Sequence, residues 1–588
     1  MIKVSDYIAR FLVNQGVDKV FAIQGGASAH LIDSIAKCDG IEYICNQHEQ
    51  ASAMAADGYA RVAGKLGVAI ATSGPGATNL LTGCCSSYYD SIPVLLLTGQ
   101  VASFRNKGSL GIRQLGFQET DTISIFQSVV KYCVLLKRPE DIRYELEKAV
   151  YIATHGRKGP VLIDIPDDYQ RAMINESDLR PYEEEKPGKE VIQADFEAKL
   201  ENILQDLNNA NRPLILAGRG IHLGNAEKEF YDVVRQLDIP VVFTWGANDL
   251  LDETAELKVG TIGINGTRYG NFAVQKADFI LVLGSRLDTH TAGTPLKNFG
   301  KYSDKIIVDI DQYELAKYKK LGFDTKELFQ CDVKEFLLEL QKRLKKGDVK
   351  LHNSTWIKEI ERWKEKYPVC ASEYYDEAAI NPYVFVKKLS EYLLEDDIIF
   401  CDTGCSLVWM NQAFEFKKRQ RIYSSFNNTP MGYSLPAAIG AALATNKRII
   451  CVTGDGGLQM NLQELATVIR HNINMVILLF ENRGYGMIQR TQDMWFESVY
   501  EGSDIMHGLA FPDFELIFKD YGFKTKRMKQ SESLDENIQE ILSGNGPRCG
   551  IIEIGLDAPM LPQVKFGHDL EDMEPYLSKE IVEQEIIV

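Results

Sequence analysis

Two polar residues follow neighbouring apolar runs near the end of the chain, and both are of types that bind cations. Asp455 lies in the run Gly454-Asp455-Gly456-Gly457, which directly follows "RIICVT", and Asn482 follows "NMVILLF" and one glutamate. The spacing of 27 residues (482 − 455) accommodates one helix and one strand of a βαβ unit. Since parallel strands end at the same edge of a sheet, this spacing predicts that the two side chains lie close together.

Three interpretations compete for the glycine-flanked aspartate. In the first, Asp455 caps a helix in an ordinary turn. In the second, it belongs to a dinucleotide-binding fingerprint, and in the third it is a ligand in a metal–diphosphate site. The fingerprint fails because its third glycine position holds Gln459. In the third interpretation glycine N–H groups hold phosphates, and Asp455, the Asn482 amide oxygen and the Gly484 carbonyl oxygen hold a hard cation such as Mg²⁺.

Strand-like runs that would position such residues recur along the whole chain. Examples are "LGVAIATSG", "RPLILAG", "ADFILVLG" and "DDIIFCDTG", which alternate with helical patterns and mostly end in glycine or a polar residue. This alternation predicts an α/β fold with parallel sheets. Charged, proline-containing segments around 175–190 and 341–356 predict two linkers that divide the chain into thirds.

Composition limits the partners and the compartment. The 588 residues carry a net charge of −17, which argues against a nucleic-acid or anionic-membrane surface because phosphate binding needs an excess of Lys and Arg. No apolar stretch approaches the roughly 18–20 residues of a membrane span, and no signal peptide is visible. The eleven scattered cysteines lack metal-ligand spacing and predict reduced thiols in a cytoplasmic protein.

Three motif groups in the right order make residues 1 to about 560 resemble the thiamine-diphosphate-dependent enzymes, and among them the acetolactate synthase family. They are "NQHEQASAMAADGYARVAGKLGVAIATSGPGATN", "NNTPMGYSLPAAIGA", and the Gly-Asp-Gly run followed by "ENRGYG". The resemblance implies an α/β chain of three doubly wound parallel-sheet domains: a pyrimidine-binding domain (1–180), a central nucleotide-like domain (190–345) and a diphosphate-binding domain (360–560), followed by a tail (561–588).

The resemblance also implies a cofactor site. Asp455, Asn482 and Gly484 would hold Mg²⁺. The predicted thiamine diphosphate contacts are Pro75, Asn79, Gly404, Cys405, Ser406, Met431, Gly454, Gly456, Gly457, Asn482, Gly484, Tyr485, Gly486 and Met487. The family usually has Asn at Glu481, often has Ser at Gly457, and often has Gln-His at Cys405-Ser406.

Thiamine chemistry also needs a carboxylic acid that protonates the aminopyrimidine ring far from the metal. A glutamate that opens a helix is usually just a first-turn charge, but Glu49 aligns with the family's activating glutamate. Gly26, Phe117 and Gln118 resemble residues that face the substrate.

The middle third resembles a domain that binds FAD in acetolactate synthases, usually as a structural group. The implied FAD contacts are Gly218, Arg219, Gly220, Gly263, Asn265, Gly266, Gly284, Arg286, Asp309 and Asp311.

The resemblance implies decarboxylation of a 2-keto acid, with pyruvate as donor, followed by ligation to a carbonyl acceptor. Thr491 stands where biosynthetic relatives carry an acceptor-site Trp, with Trp495 four residues on, and the tail "FGHDLEDMEPYL" resembles a subgroup of surface-sugar biosynthesis. Two alternatives therefore stay open: acyl transfer to another ketone such as a nucleotide-linked keto-sugar, and simple decarboxylation. A non-catalytic regulatory role is disfavoured by the presence of Glu49, Asp455 and Asn482. Because Glu49 and Asp455 lie in different domains, the resemblance implies a homodimer or homotetramer with active sites at the dimer interface.

Overall fold

The computed structural model describes residues 1–184, 193–344, 354–565 and 567–586. Three six-stranded sheets dominate it, and every strand pair within them is parallel. Each sheet has an apolar core on each of its two faces. The predicted fold of three doubly wound α/β units is therefore confirmed. Residues 185–190 of the first predicted linker and 345–353 of the second lie outside the described residues.

The first sheet has the strand order β3-β2-β4-β5-β7-β6. Its strands are β2 (Lys19–Ala22), β3 (Glu42–Cys45), β4 (Gly67–Ala71), β5 (Val94–Gln100), β6 (Tyr132–Leu135) and β7 (Val161–Pro166), and β1 (Ile2–Lys3) pairs separately with β8 (Met173–Ile174). The helices are α1 (Val4–Asn14), α2 (Ala29–Lys37), α3 (Glu49–Ala63), α4 (Pro75–Asn79), α5 (Leu81–Tyr89), α6 (Thr122–Phe126), α7 (Ile142–Thr154) and α8 (Asp167–Gln170).

The central sheet has the order β11-β10-β9-β12-β13-β14. Its strands are β9 (Pro213–Ala217), β10 (Val241–Phe243), β11 (Lys258–Thr261), β12 (Phe279–Leu283), β13 (Asp304–Asp309) and β14 (Glu327–Gln330). The helices are α9 (Gln193–Asn209), α10 (Gly220–Leu223), α11 (Glu227–Leu237), α12 (Arg268–Lys276), α13 (Thr289–Ala292), α14 (Gln312–Lys320) and α15 (Val333–Leu344). Helix α16 (Ser354–Lys366) also packs on this sheet through Trp356 and Trp363.

The third sheet has the order β16-β15-β17-β18-β20-β19. Its strands are β15 (Ile398–Cys401), β16 (Arg421–Tyr423), β17 (Ile449–Gly454), β18 (Met475–Glu481), β19 (Lys524–Met528) and β20 (Arg548–Glu553). The helices are α17 (Pro382–Tyr392), α18 (Cys405–Ala413), α19 (Ser434–Ala444), α20 (Asp455–Met460), α21 (Leu465–Arg470), α22 (Gly486–Trp495), α23 (Phe514–Asp520) and α24 (Leu534–Leu542).

The tail returns to the central sheet as the hairpin β21 (Gln563–Val564) and β22 (Met573–Glu574) and the helix α25 (Lys579–Ile586). Buried Glu585 of α25 contacts Trp363 Nε1 (2.8 Å) and Lys366 Nζ (2.8 Å) on α16. Within the described ranges every helix is too short or too polar to cross a lipid bilayer.

Helices α3 and α19 join the first and third units by direct backbone contact. A Cβ atom at Gly440 would lie 1.8 Å from the carbonyl oxygen of Ala55, and one at Gly58 would lie 2.0 Å from that of Ala437. Only glycine permits this approach. The contact fixes the start of α3, which Glu49 opens, relative to the segment that carries Met431.

Candidate active site

Asp455 is the buried centre of the site in the third unit. It directly follows β17 and is 2% exposed. Its Oδ1 accepts the N–H of Gly456 (2.7 Å), and its Oδ2 accepts the N–H groups of Arg483 (2.6 Å) and Asn482 (3.1 Å). Burial raises the pKa of the Asp455 carboxyl to about 7, although these three N–H groups oppose the shift. A buried carboxylate in this state favours a cationic partner.

The loop after β18 wraps around that carboxylate. The Asn482 Oδ1 atom accepts the N–H of Gly484 at 3.2 Å, and the Tyr485 N–H binds the Ser503 carbonyl oxygen at 2.9 Å. Glu481, where the resembling family has Asn, forms an ion pair with Arg527. The departure at Glu481 therefore has its own cationic partner in β19.

A second glycine-containing turn meets this loop. A Cβ atom at Gly486 would lie 3.1 Å from Cys405 Sγ and 3.3 Å from Asn482 Nδ2, so Gly404-Cys405-Ser406 adjoins the predicted metal ligands. Gly404 has φ +92° and precedes α18. Burial raises the pKa of the Cys405 thiol to about 12, which keeps the thiol protonated. The Ser406 hydroxyl group donates to the backbone carbonyl oxygens of Asp402 and Thr403. The N-termini of α18 and α22 thus converge on one edge of the sheet, an arrangement suited to an anion.

Met431, Tyr485 and Gly456 pack together beside Asp455. The Cβ position at Gly456 is 3.1 Å from Met431 Cε and 2.4 Å from the Tyr485 ring. Met487 is half-buried in the first turn of α22. Gly454 has open space at its Cβ position, which is consistent with a ligand approaching the backbone there.

Gly457, where a serine was expected, is crowded by a residue that the sequence analysis did not select. A Cβ atom there would lie 2.9 Å from Asp402 Oδ2. Asp402 directly follows β15, as Asp455 follows β17, and that shared position was the signal in the sequence that could have identified it.

Glu49 lies at the corresponding edge of the first sheet. It opens α3, and its Oε2 accepts a hydrogen bond from Asn79 Nδ2 at 2.9 Å. The Cβ position of Gly76, in the turn that Pro75 begins, is 3.3 Å from Oε1. Glu49, Pro75 and Asn79 are thus brought together as the resemblance implied.

The predicted substrate-facing residues lie on more open backbone. Gln118 has φ +63°, and its carbonyl oxygen lies 2.9 Å from the Cβ position at Gly74. Phe117 beside it is 87% exposed. Nothing lies within 4 Å of the Cβ position at Gly26. These three residues border open space rather than a closed pocket within one chain.

Glu464 of the third unit holds the segment just before α3, a role that no pattern in the sequence indicated. Its Oε1 accepts the N–H groups of Gln47 (2.8 Å) and His48 (3.2 Å), and its Oε2 accepts Asn46 Nδ2 (3.1 Å). Burial raises the pKa of this carboxyl group. The peptide just before Glu49 is thereby tied to the third unit of the same chain.

A cavity of about 420 Å³ opens at the carboxyl edge of the central sheet. Of the predicted FAD contacts, those that line it are Arg219, Gly220, Gly284, Arg286 and Asp309. Among the described residues, Arg219 Nε and Trp245 Nε1, both from residues lining this cavity, are buried donors with no hydrogen-bond partner.

The other predicted FAD-binding residues contact other parts of the protein instead of lining the cavity. Gly218 packs against the Gly284 carbonyl oxygen, and Gly263 packs against that of His290. The carbonyl oxygens of Asn265 and Gly266 accept Gln412 Nε2. Asp311 pairs with Arg157 at 2.7 Å across the boundary with the first unit.

Comparison with known proteins agrees with this arrangement. Residues 2–125 match the N-terminal TPP binding domain of thiamine pyrophosphate enzymes, residues 200–340 match their central domain, and residues 402–552 match their C-terminal TPP binding domain. The acetolactate synthase large subunit of Lactococcus lactis is 33% identical over 97% of this chain and 95% of its own length.

Two further relatives extend the match. The acetolactate synthase of Arthrospira platensis is 32% identical over 96% of both chains, and the probable acetolactate synthase large subunit of Methanocaldococcus jannaschii is 33% identical over 97% of this chain and 95% of its own. The family inferred from the motifs is thus confirmed. This chain belongs to the thiamine pyrophosphate enzymes, in the family of the acetolactate synthase large subunits.

Proposed function

We propose that the protein is a thiamine-diphosphate-dependent carboligase that decarboxylates pyruvate and joins the two-carbon product to a second 2-keto acid. The observation that carries the proposal is the buried Asp455, whose carboxylate binds the N–H groups of the Asn482 loop. It lies in a chain that matches acetolactate synthase large subunits over nearly its whole length. These relatives do not favour the keto-sugar alternative.

Mg²⁺ fits the donor set of the third unit. Asp455 supplies a carboxylate, Asn482 an amide oxygen and Gly484 a carbonyl oxygen, which are the hard ligands this ion prefers. The cation would also supply the countercharge that the buried Asp455 carboxylate lacks. The diphosphate would accept N–H groups at the starts of α18 and α22 beside it.

Bound thiamine diphosphate supplies the carbon nucleophile and accepts the electrons released when the keto acid loses CO₂. The chain's own part begins at Glu49, whose Oε1 atom would exchange a proton with the aminopyrimidine ring. The Asn79 amide holds Oε2 at 2.9 Å and so fixes the orientation of that carboxyl group. Met431, packed over Gly456, would hold the cofactor in a bent shape.

The active site is proposed to form between two chains. Glu49 belongs to the first unit and Asp455 to the third, and each would bind an opposite end of one cofactor. Large apolar side chains lie exposed near both edges: Phe104, Leu110, Leu115 and Phe117 in the first unit, and Ile488, Trp495, Phe496 and Met506 in the third. Exposed apolar surface of this extent indicates a protein partner. We therefore assign a homodimer, or a homotetramer built from two such dimers.

Thr491 and Trp495 share the exposed face of α22, one turn apart. In the proposed dimer this face borders the acceptor side of the site, and Trp495 would supply the indole that position 491 lacks. Thr491 itself would leave that side more polar.

FAD is proposed as the occupant of the central cavity. The Arg219 guanidinium lies over the Tyr423 and Phe426 rings, and burial lowers its pKa. An anionic diphosphate would offset that burial. We place the enzyme in the cytoplasm because its eleven cysteines are free thiols.

The direct test is incubation of the purified protein with pyruvate, thiamine diphosphate and Mg²⁺. We expect 2-acetolactate, measured as acetoin after acid decarboxylation, together with CO₂. Adding 2-ketobutyrate would report the acceptor preference. Release of acetaldehyde without any carbon–carbon product would instead establish a decarboxylase and contradict the proposal.

A further inference from the structure

Asp402 contacts three separate parts of the proposed cofactor site. Its buried carboxylate accepts the N–H of Thr403 (2.9 Å) and the N–H of Gly432, which lies 3.1 Å from both oxygens. Its Oδ2 also accepts the hydroxyl groups of Ser434 and Thr453, each at 3.1 Å. One carboxylate therefore joins the end of β15, the segment that follows Met431, and the strand that leads to Asp455.

Gly432, the residue after Met431, is held by hydrogen bonds at both its N–H group and its carbonyl oxygen. The Gly432 N–H is bound by Asp402, and its carbonyl oxygen accepts Asn461 Nδ2 at 2.8 Å. Gly432 has φ +83°, and a Cβ atom there would lie 2.6 Å from the Cβ of Met460. These contacts hold the backbone next to Met431, whose Cε lies 3.1 Å from the Cβ position at Gly456.

The same carboxylate lies close to the backbone at position 457. A Cβ atom at Gly457 would lie 2.9 Å from Asp402 Oδ2 and 3.1 Å from both its Cγ and Thr453 Oγ1. These neighbours are held by their own hydrogen bonds and have little room to give. A side chain at position 457 would therefore have to displace the Asp402 carboxylate.

We propose that Asp402 is a positioning residue for thiamine diphosphate, which sets Met431 and the backbone at Gly457 around the cofactor, and that position 457 is glycine because this carboxylate requires it. The inference rests on the proposed placement of the cofactor at Asp455.

The first test measures the Kd for thiamine diphosphate, with Mg²⁺ present, by quenching of tryptophan fluorescence, and the Tm of the cofactor-free protein. In the D402N variant an amide NH₂ group replaces one carboxylate oxygen and cannot accept the hydrogen bonds that this oxygen now accepts. We therefore expect D402N to raise the Kd at least about tenfold. The matched control is D397N. Asp397 is buried at the opposite end of β15 and binds Arg448 Nε at 2.8 Å, so its loss should lower Tm and leave the Kd unchanged.

A wild-type Kd in D402N, or an equal loss of affinity in D397N, overturns the inference. Should D402N fail to fold, Ser434→Ala removes one donor to the same carboxylate and keeps the carboxylate itself. Ser434→Ala should raise the Kd by a smaller factor than D402N would, and an unchanged Kd in that variant would also overturn the inference.

The second test is a double-mutant cycle between positions 402 and 457. Gly457→Ala should raise the Kd strongly in the wild-type chain. It should raise the Kd much less in a D402A chain, which lacks the obstructing carboxylate. Equal factors in the two backgrounds would refute the link. Asp455→Ala separates the two levels of failure: if it too leaves the Kd unchanged, the proposed placement of the cofactor is wrong, whereas if only Asp402 is without effect, the positioning role alone is wrong.

Discussion

The Oδ2 atom of Asp455 lies 3.1 Å from the backbone nitrogen of Asn482. One proposed metal ligand thus fixes the loop that carries the second. Each side chain comes from a different strand end, and β17 and β18 are adjacent in the sheet, with Gly454 paired to Phe480. The site is therefore shaped by the backbone before any ion binds, which reduces the ordering that binding would require.

Replacing Asp455 by alanine should abolish Mg²⁺-dependent binding of thiamine diphosphate. The variant loses both a charged oxygen ligand and the acceptor for three N–H groups, so we expect the Kd to rise at least about 100-fold. Isothermal titration with the cofactor and Mg²⁺ measures it. E481Q is the matched control, because the neighbouring Glu481 pairs with Arg527 instead. Equal losses in both variants would argue against Asp455 as a ligand.

Replacing Glu49 by glutamine should separate binding from catalysis. Glutamine keeps the shape and the partner Asn79 but carries no transferable proton, so we expect kcat to fall by about 10²–10⁴-fold while the cofactor Kd changes little. Steady-state formation of acetolactate gives kcat, and fluorescence titration gives the Kd. The control is E42Q, an exposed glutamate on β3. Unimpaired ligation by E49Q would refute the assigned role.

Mixing two inactive variants tests whether the site is shared between chains. When E49Q and D455A chains are unfolded and refolded together, half of the dimers are mixed, and each mixed dimer has one site with both native residues. About a quarter of the wild-type activity should therefore return. Each variant refolded alone controls for residual activity. If no activity returns although co-purification of differently tagged chains shows mixed dimers, each site lies within a single chain.

The purified protein should be yellow and release FAD on heating. Arg219→Gln should reduce the retained flavin, since it removes a buried cation from the lining of the cavity. The ratio of the visible flavin absorbance to the protein concentration reports the fraction of chains that carry flavin. Arg235→Gln, at an exposed position on α11, is the matched control. A colourless wild-type protein that takes up no added FAD would contradict this assignment.

Buried Asp164 should make the first unit less stable as the pH rises. Thr98 Oγ1 and Gln100 Nε2 donate to it at 2.6 and 2.8 Å, and burial raises its pKa to about 7. Because the folded-state pKa lies above the unfolded one, its stabilising contribution is complete below about pH 4 and is lost as the pH rises through about 7.

Wild-type Tm should therefore fall relative to that of D164N between about pH 5 and about pH 8. Differential scanning calorimetry across this range measures the difference. Asp39→Asn, an exposed change, should leave the pH dependence as in the wild type. Parallel curves for the wild type and D164N would show that Asp164 does not titrate in this way.

The sequence by itself determined the three parallel-sheet units, the family, and the residues at the strand ends. Periodic apolar runs specify strands and helices locally, and strand ends with glycine and a polar residue mark one edge of each sheet. Asp455 and Asn482 were identified in this way, whereas Glu49 and Asn79 came from the resemblance to the family, and the structure brings each pair together.

Tertiary structure alone decided which residues support them. Asp402 was visible in "CDTG", but its contact with Gly457 depends on how β15 and β17 pair, across 55 residues (457 − 402). Glu464 reaches the peptide before Glu49 from more than four hundred residues away. The tail reaches the loop at Gly263–Gly266, where the Val564 N–H donates to the carbonyl oxygen of Ile264 at 2.8 Å. Such contacts join positions that have no fixed spacing along the chain, so a periodic pattern carries no record of them, whereas packing in three dimensions sets them directly.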